Sequence, residues 1–312
     1  MKLILFKAAD ATPRVGAMAQ DGAVDLSALF PAQADGQATM RALIEGFESQ
    51  RGAIQALCAK GPVLDLKQLQ LLPPLPRPGK ILCCISNYRE NDAARVNTPL
   101  NMYLKNPDAV IGPGDTIRLP EFAEPWIFMH EAELALVLKG PAKRIARERW
   151  REAVFGYTCF IDVSARGEGR YTWKKGSWLG KSFDTFGPIG PCIVTADEIP
   201  NPNDLHVRFW NEGQLRHNYN TSDMEHQVPE LIEFASTIMT LYSGDVIACG
   251  TNHEGLGPLQ DGEKVEIEIA GIGRMALSVA DPLRRTWERG LYMGADSTNH
   301  EARRRHAQAA QK

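Results

Sequence analysis

The chain has 312 residues, 44% of them hydrophobic and 23% charged, with a formal net charge of −3 and a pI near 6.2. That length holds a large core, with room for one big unit and a small companion. A mildly acidic balance supplies no cationic field, which excludes nucleic acid and anionic membrane as partners. The one basic run, Arg303-Arg304-Arg305, sits in an Ala/Gln-rich tail and reads as a solvated end.

Six cysteines, at 58, 83, 84, 159, 192 and 249, form no CxxC and no zinc spacing. Most lie in apolar runs such as ILCCI and VIACG and read as buried, reduced thiols of a cytoplasmic protein. MKLILFKAAD is too short an apolar stretch for a signal peptide, and no segment approaches a membrane span.

In chain order, residues 1–72 read as a small N-terminal α+β domain. KLILF and RVGAMAQDGAVDL are strands, Asp21-Gly22 is a hairpin signal, and a helix is expected over 38–59. Four prolines within 73–78 can neither continue a helix nor enter a central strand, so 73–79 is expected to be a linker. From Lys80 to about 282 the pattern is strand-rich: ILCCI, DTIRLP, ELALVL, CIVTA, HVRFWNEG, DVIAC and KVEIEIAGIGRMALSVA. Helices are expected only over 146–154, over 228–240 with Pro229 just inside its start, and over 89–95. Many strands with few helices and no βα alternation, GxGxxG or P-loop predict a β-rich α+β unit. A C-terminal extension, 283–312, carries Trp287, Tyr292 and Met293, apolar residues expected to cover the surface or a partner subunit.

His130-Glu131-Ala132-Glu133 opens the apolar run LALVL. On a strand, Glu131 and Glu133 share one face, and two neighbouring carboxylates stay ionised only with a cation between them. A lone ExE is more often a solvated strand face. Asp162, directly after the apolar Cys-Phe-Ile run of GYTCFIDVSAR, shifts the balance, because a buried acid needs a partner. Three oxygen ligands without His or Cys suit Mg²⁺ or Mn²⁺. In SWLGKSFDTFGPIGP, Lys181 stands alone among Trp, Leu, Phe and Gly and reads as turned inward rather than snorkelling to the surface. The strand end DVIACGTNHEG carries Thr251, His253 and Glu254 in a Gly-rich turn, a common place for site residues.

Taken together, NYRENDAAR, YLKNPDAVIGPGDTIRLP, HEAELALVLKG, GYTCFIDVSAR, GSWLGKSFDTFGPIGP, NTSDM and TLYSGDVIACGT resemble, in order, the C-terminal domain of the fumarylacetoacetate hydrolase family. They span roughly 80–280. The resemblance implies a mixed β-roll and a homodimer. It implies a metal on Glu131, Glu133 and Asp162, catalytic parts for Lys181 and Thr251, and substrate contacts from Arg166, Tyr88 and Asn87. Family members hydrolyse or decarboxylate β-dicarbonyl acids, and some isomerise or dehydrate 2-oxo acids. The implied activity is metal-dependent hydrolysis of a carbon–carbon bond; a decarboxylase, isomerase or dehydratase is the alternative, and a binding module a lesser one.

One departure stands out. Many hydrolytic members carry a His and a Glu three residues apart on a lid helix after the NY dipeptide. Here those positions are Asn91 and Ala94, and asparagine cannot act as a base. Three readings follow: His253 and Glu254 take over, Glu90 or Asp92 serves as a carboxylate base, or the reaction activates no water. Glu168 reads as a loop charge near Arg166. Glu225 and His226 read as helix-terminal charges before 228–240, and His130 as a hydrogen-bond donor beside the metal pair.

Overall fold

The computed structural model describes residues 1–9, 11–19, 22–89, 98–167, 171–172 and 178–289. Strand β1 (Lys2–Lys7) pairs antiparallel with β2 (Pro13–Ala19), which returns as β3 (Gly22–Asp25). The expected hairpin is there, with Ala19 opposite Gly22, although Asp21 itself lies outside the described residues. Helix α1 (Gly36–Lys60) starts where the Asp35 carboxylate accepts from the Ala38 amide at 2.7 Å. Its buried stripe of Met40, Leu43, Ile44 and Phe47 follows the helical period and packs on β2.

The strands that build the site follow as β4 (Ile81–Cys84), β5 (Met102–Lys105), β6 (Ile127–Met129), β7 (Ala132–Leu138), β8 (Val154–Ile161), β9 (Ser164–Arg166) and β10 (Gly187–Thr195). After them come the hairpin β11 (His206–Asn211) and β12 (Gln214–Asn220), helix α2 (Val228–Ile238), β13 (Val246–Ala248), β14 (Lys264–Ile269) and β15 (Gly273–Ala280). Among the described residues β6 pairs with β9 as a separate two-stranded sheet, and two larger sheets organise the rest. The larger runs β3-β2-β1-β10-β8-β7-β13-β4-β5, with Val63–Leu64 beyond β3; the smaller runs β12-β11-β14-β15 and then Thr116–Arg118. Every residue of β7 and β8 is buried, which is why both read as nearly unbroken apolar runs.

Leu3 pairs with Ile193, so the N-terminal strands extend the same sheet that carries β7 and β8. The proline-rich stretch 73–79 therefore joins two lengths of one hydrogen-bonded sheet. The helix expected over 146–154 is a 3₁₀ helix, Arg147–Ala153, whose preceding Ala146 offers no side-chain cap. Helix α2 stops at Ile238, before the expected 240. The expected 89–95 helix falls largely outside the described residues.

The C-terminal stretch lies against its own chain at Trp287. Trp287 packs edge-on against Phe128 at 5.9 Å, and its amide donates to Gln260 Oε1 at 2.9 Å. The ring lies over Phe128 of its own chain, one of the two placements expected for this stretch. Tyr292, Met293 and the Arg303–Arg305 run lie outside the described residues. Five of the six cysteines are buried, and all are free thiols. Among the described residues no helix is long and apolar enough to cross a membrane.

Candidate metal centre

Three backbone facts assemble the acids. Antiparallel pairing of β7 with β8 sets Ala132 opposite Ile161, so the next residues outward, Glu131 and Asp162, meet across the ladder end. The Asp162 amide donates to the Glu131 carbonyl at 2.9 Å. Strand alternation then turns Glu133 to the face that Glu131 uses. All three side chains are buried, and one ligand oxygen from each lies within 4.8 Å of the others.

Cations from elsewhere in the chain close around them. Lys181, on the 3₁₀ turn Leu179–Lys181, donates to Glu131 Oε2 at 2.7 Å and to Asp162 Oδ2 at 2.6 Å. Arg166, at the end of β9, donates to Glu131 Oε1 at 2.8 Å, and Ser164 Oγ reaches the same oxygen at 3.3 Å. The Gly250 amide donates to Glu133 Oε2 at 2.7 Å. Glu133 Oε1 is buried without a hydrogen-bond partner. A buried orphan oxygen beside two further carboxylates is the donor set a hard divalent cation takes, so these residues fit such an ion.

Electrostatics separate the two glutamates. Burial pushes the Glu131 carboxyl up, but the Lys181 and Arg166 charges outweigh it and hold the group below the ordinary carboxylate range. Glu133 has burial and the like charges of Asp162 and Glu131 acting together, which drives it well above that range. Burial would deprotonate Lys181, yet Asp162 and Glu131 raise it above the usual lysine value, so it is an ammonium.

Two residues here escaped the sequence reading. Lys105, its side chain fully buried, donates to Asp162 Oδ1 at 2.8 Å and also to the Lys181 carbonyl. Tyr103 donates to Asp162 Oδ2 at 2.5 Å, and its ring stacks on Trp178 at 4.6 Å. Both lie on β5, where alternation turns Tyr103 and Lys105 in and leaves Leu104 55% exposed. The signal was present in YLK, because one choice of face must bury the lysine. On a short strand nothing in the sequence chose that face.

The other expected residues are distributed unevenly. Thr251 is buried in the segment after β13. His253 is half-buried and lies near enough to Glu131 and His217 to interact electrostatically with both. Glu254 is exposed, with its amide turned back to Asn252 Oδ1 at 2.7 Å. The Asn87 side chain is engaged by the scaffold: it donates to the His226 and Cys249 carbonyls and accepts from the His226 amide. Tyr88 packs edge-on against Tyr219 at 4.9 Å. Glu225 accepts from the Thr98 amide at 2.9 Å, and His226 meets the Thr98 carbonyl and Glu230, so both tie down the chain ahead of α2. His130 faces away from the acids, with Nδ1 3.0 Å from His217 Nε2 and its ring stacked on Phe209. Glu90, Asn91, Asp92, Ala94 and Glu168 lie outside the described residues.

Residues 80–280 match the family described as fumarylacetoacetate (FAA) hydrolase C-terminal. The oxaloacetate tautomerase fahd2, mitochondrial, of Xenopus laevis is 36% identical over 293 residues, covering 88% of this chain and 89% of the relative. The structure of maleylpyruvate hydrolase from Sphingobium sp. SYK-6 in complex with manganese(II) ion and pyruvate superposes with a TM-score of 0.80 at 36% identity, covering 90% of this chain and 99% of that one. The 5-carboxymethyl-2-hydroxymuconate delta-isomerase of Mycobacterium smegmatis superposes with a TM-score of 0.71 at 32% identity, over 90% and 99% of the two chains.

Proposed function

Because this chain belongs to the fumarylacetoacetate hydrolase family and is one of its enzymes, we propose that it hydrolyses a carbon–carbon bond in an acylpyruvate-type β-dicarbonyl acid with the help of a divalent ion. The observation that carries this reading is the buried cluster of Glu131, Glu133 and Asp162 with the Lys181 ammonium against two of the three. Mg²⁺ or Mn²⁺ held by those acids would supply Lewis-acid stabilisation of oxygen charge. Water adds to the distal carbonyl carbon, the bond to the methylene carbon breaks, and its electron pair moves onto the enolate oxygen of the pyruvate half. Lys181 donates to that oxygen as charge accumulates. Thr251, Arg166 and Tyr88 bind the acid, while Asn87 holds the segment that carries Tyr88. His253 takes the proton of the attacking water; the exposure of Glu254 shifts that role to its neighbour. The manganese and pyruvate in the maleylpyruvate hydrolase structure support the reading, since pyruvate is the half that an acylpyruvate releases.

A second reading is tautomerisation or isomerisation of a 2-oxo acid. One observation favours it: Asn91 and Ala94 stand where hydrolytic members carry a base and its partner. The test is to incubate the Mn²⁺-supplemented protein separately with maleylpyruvate, acetylpyruvate and enol-oxaloacetate. Equimolar pyruvate and carboxylic acid from a diketone acid are expected. Rapid loss of the oxaloacetate enol, with no cleavage of either diketone acid, would replace hydrolysis with the second reading.

A further inference from the structure

The turn that carries His253 is built with unusual care. His253-Glu254-Gly255-Leu256 closes through Leu256 N to the His253 carbonyl at 3.3 Å, with Gly255 at φ +85° in its third position. That is a type II geometry, which favours glycine there. Asn252 Oδ1 braces the turn from before by accepting from the Glu254 amide. Arg216 of β12 grips it from behind, with Nε 3.0 Å from the Gly255 carbonyl and Nη2 2.9 Å from the Leu256 carbonyl. A Cβ on Gly255 would fall 1.8 Å from the Arg216 carbonyl oxygen, and one on Gly257 would fall 2.7 Å from its Nη2.

Arg216 is aimed by a β-bulge. The β11–β12 register runs from Phe209 opposite His217 directly to Trp210 opposite Leu215, leaving Arg216 as the extra residue. Bulges re-aim one side chain out of the ladder, at the cost of local pairing. The next residue, His217, meets His130, which directly precedes Glu131. One strand therefore holds the His253 turn with one residue and the approach to the acid cluster with the next.

We propose that Arg216 is a positioning residue that fixes the His253 turn relative to the acid cluster. This rests on the reading of His253 as the group that receives the water proton. A planar guanidinium holding two successive carbonyls fixes the turn's orientation as well as its distance, which one lysine donor cannot do. Errors of an ångström in placing a proton acceptor lower the rate far more than they lower binding.

The test is a double-mutant cycle on the Mn²⁺-loaded full chain with Arg216→Gln, Arg216→Lys and His253→Ala. Manganese affinity, kcat, KM and thermal midpoint are measured for each variant. Arg216→Gln is expected to lower kcat at least ~10-fold with KM and Mn²⁺ affinity within about 2-fold. Arg216→Lys should fall between it and the wild type. In a His253→Ala background, Arg216→Gln should change kcat less than about 2-fold, because nothing is left to position. A full additional loss in that background overturns the positioning role while leaving His253 in place. A His253→Ala variant with undiminished kcat overturns both the reading and the inference. Should Arg216→Gln not fold, the same cycle with Arg216→Lys decides between these outcomes.

Discussion

The acid cluster and the histidine pair lie back to back in the core, and they answer the same desolvation problem in opposite ways. Glu131, Asp162, Lys105 and Lys181 pair acid with base through contacts of 2.6–2.8 Å. His130 and His217 instead give up charge. Burial first, then for His130 the neighbouring imidazole and for His217 the Arg216 charge, push both below the ordinary imidazole range, His217 to about 3. His130 Nε2 and His217 Nδ1 are buried without partners, which neutral imidazoles tolerate far better than ammonium or carboxylate groups would. The difference teaches which cluster is built to meet charge. Only the acid cluster gathers several ionisable groups of opposite sign in the core, an arrangement more common at functional sites than in structural cores.

Asp162→Asn should break the comparison most severely. It leaves Lys105 and Lys181 in the core with their shared counter-charge removed, and breaking a buried pair in this way costs about 3–5 kcal/mol. Urea unfolding should show a loss of that size, and calorimetric titration should show Mn²⁺ binding abolished. A stable variant that still bound the ion would remove Asp162 from the centre.

Lys181→Met is expected to lower turnover at least ~10²-fold, the scale for losing a donor to a developing oxyanion. Its stability loss should be smaller than that of Asp162→Asn, because Glu131 keeps Arg166 and Asp162 keeps Lys105. Steady-state kinetics beside urea unfolding separates the two effects; near-wild-type turnover would confine Lys181 to structure.

The histidine pair predicts a pH effect. A base whose folded pKa is depressed binds fewer protons folded than unfolded between its two pKa values, so stability falls as pH drops below the unfolded value near 6.5. Each imidazole contributes roughly 1 kcal/mol per pH unit in that window. Between pH 6.5 and 5, His217→Gln should show a shallower decline than the wild type. Equal slopes by urea unfolding would mean that His217 is protonated in the fold.

Glu254→Gln is the smallest change. An exposed side chain should alter turnover by less than about 2-fold and stability by no more than about 0.5 kcal/mol. A large kinetic loss would return Glu254 to the chemistry.

Much of this was legible in the residues themselves. Alternation on HEAELALVL placed Glu131 and Glu133 on one face, and the apolar run before Asp162 announced a buried acid. The β-rich class followed from strand patterns separated by turn residues, and α1 from its period. The partition at 73–79 was different: prolines announce a break in the chain, but not that β1 pairs with β10 and carries the sheet across it. Trp287 likewise read as unexplained apolar surface until Phe128 was found beneath it.

By itself the sequence determined which residue types could carry the chemistry and which strand faces they occupy, because side-chain alternation and burial of apolar runs are local rules. Only the tertiary structure decided who neutralises whom. Lys105 meets Asp162 across 57 positions of chain and Lys181 meets Glu131 across 50. Arg216 meets the His253 turn across 39. Such pairings depend on strand register and on one bulge, and long-range register is set by how the whole sheet packs rather than by any short run of residues.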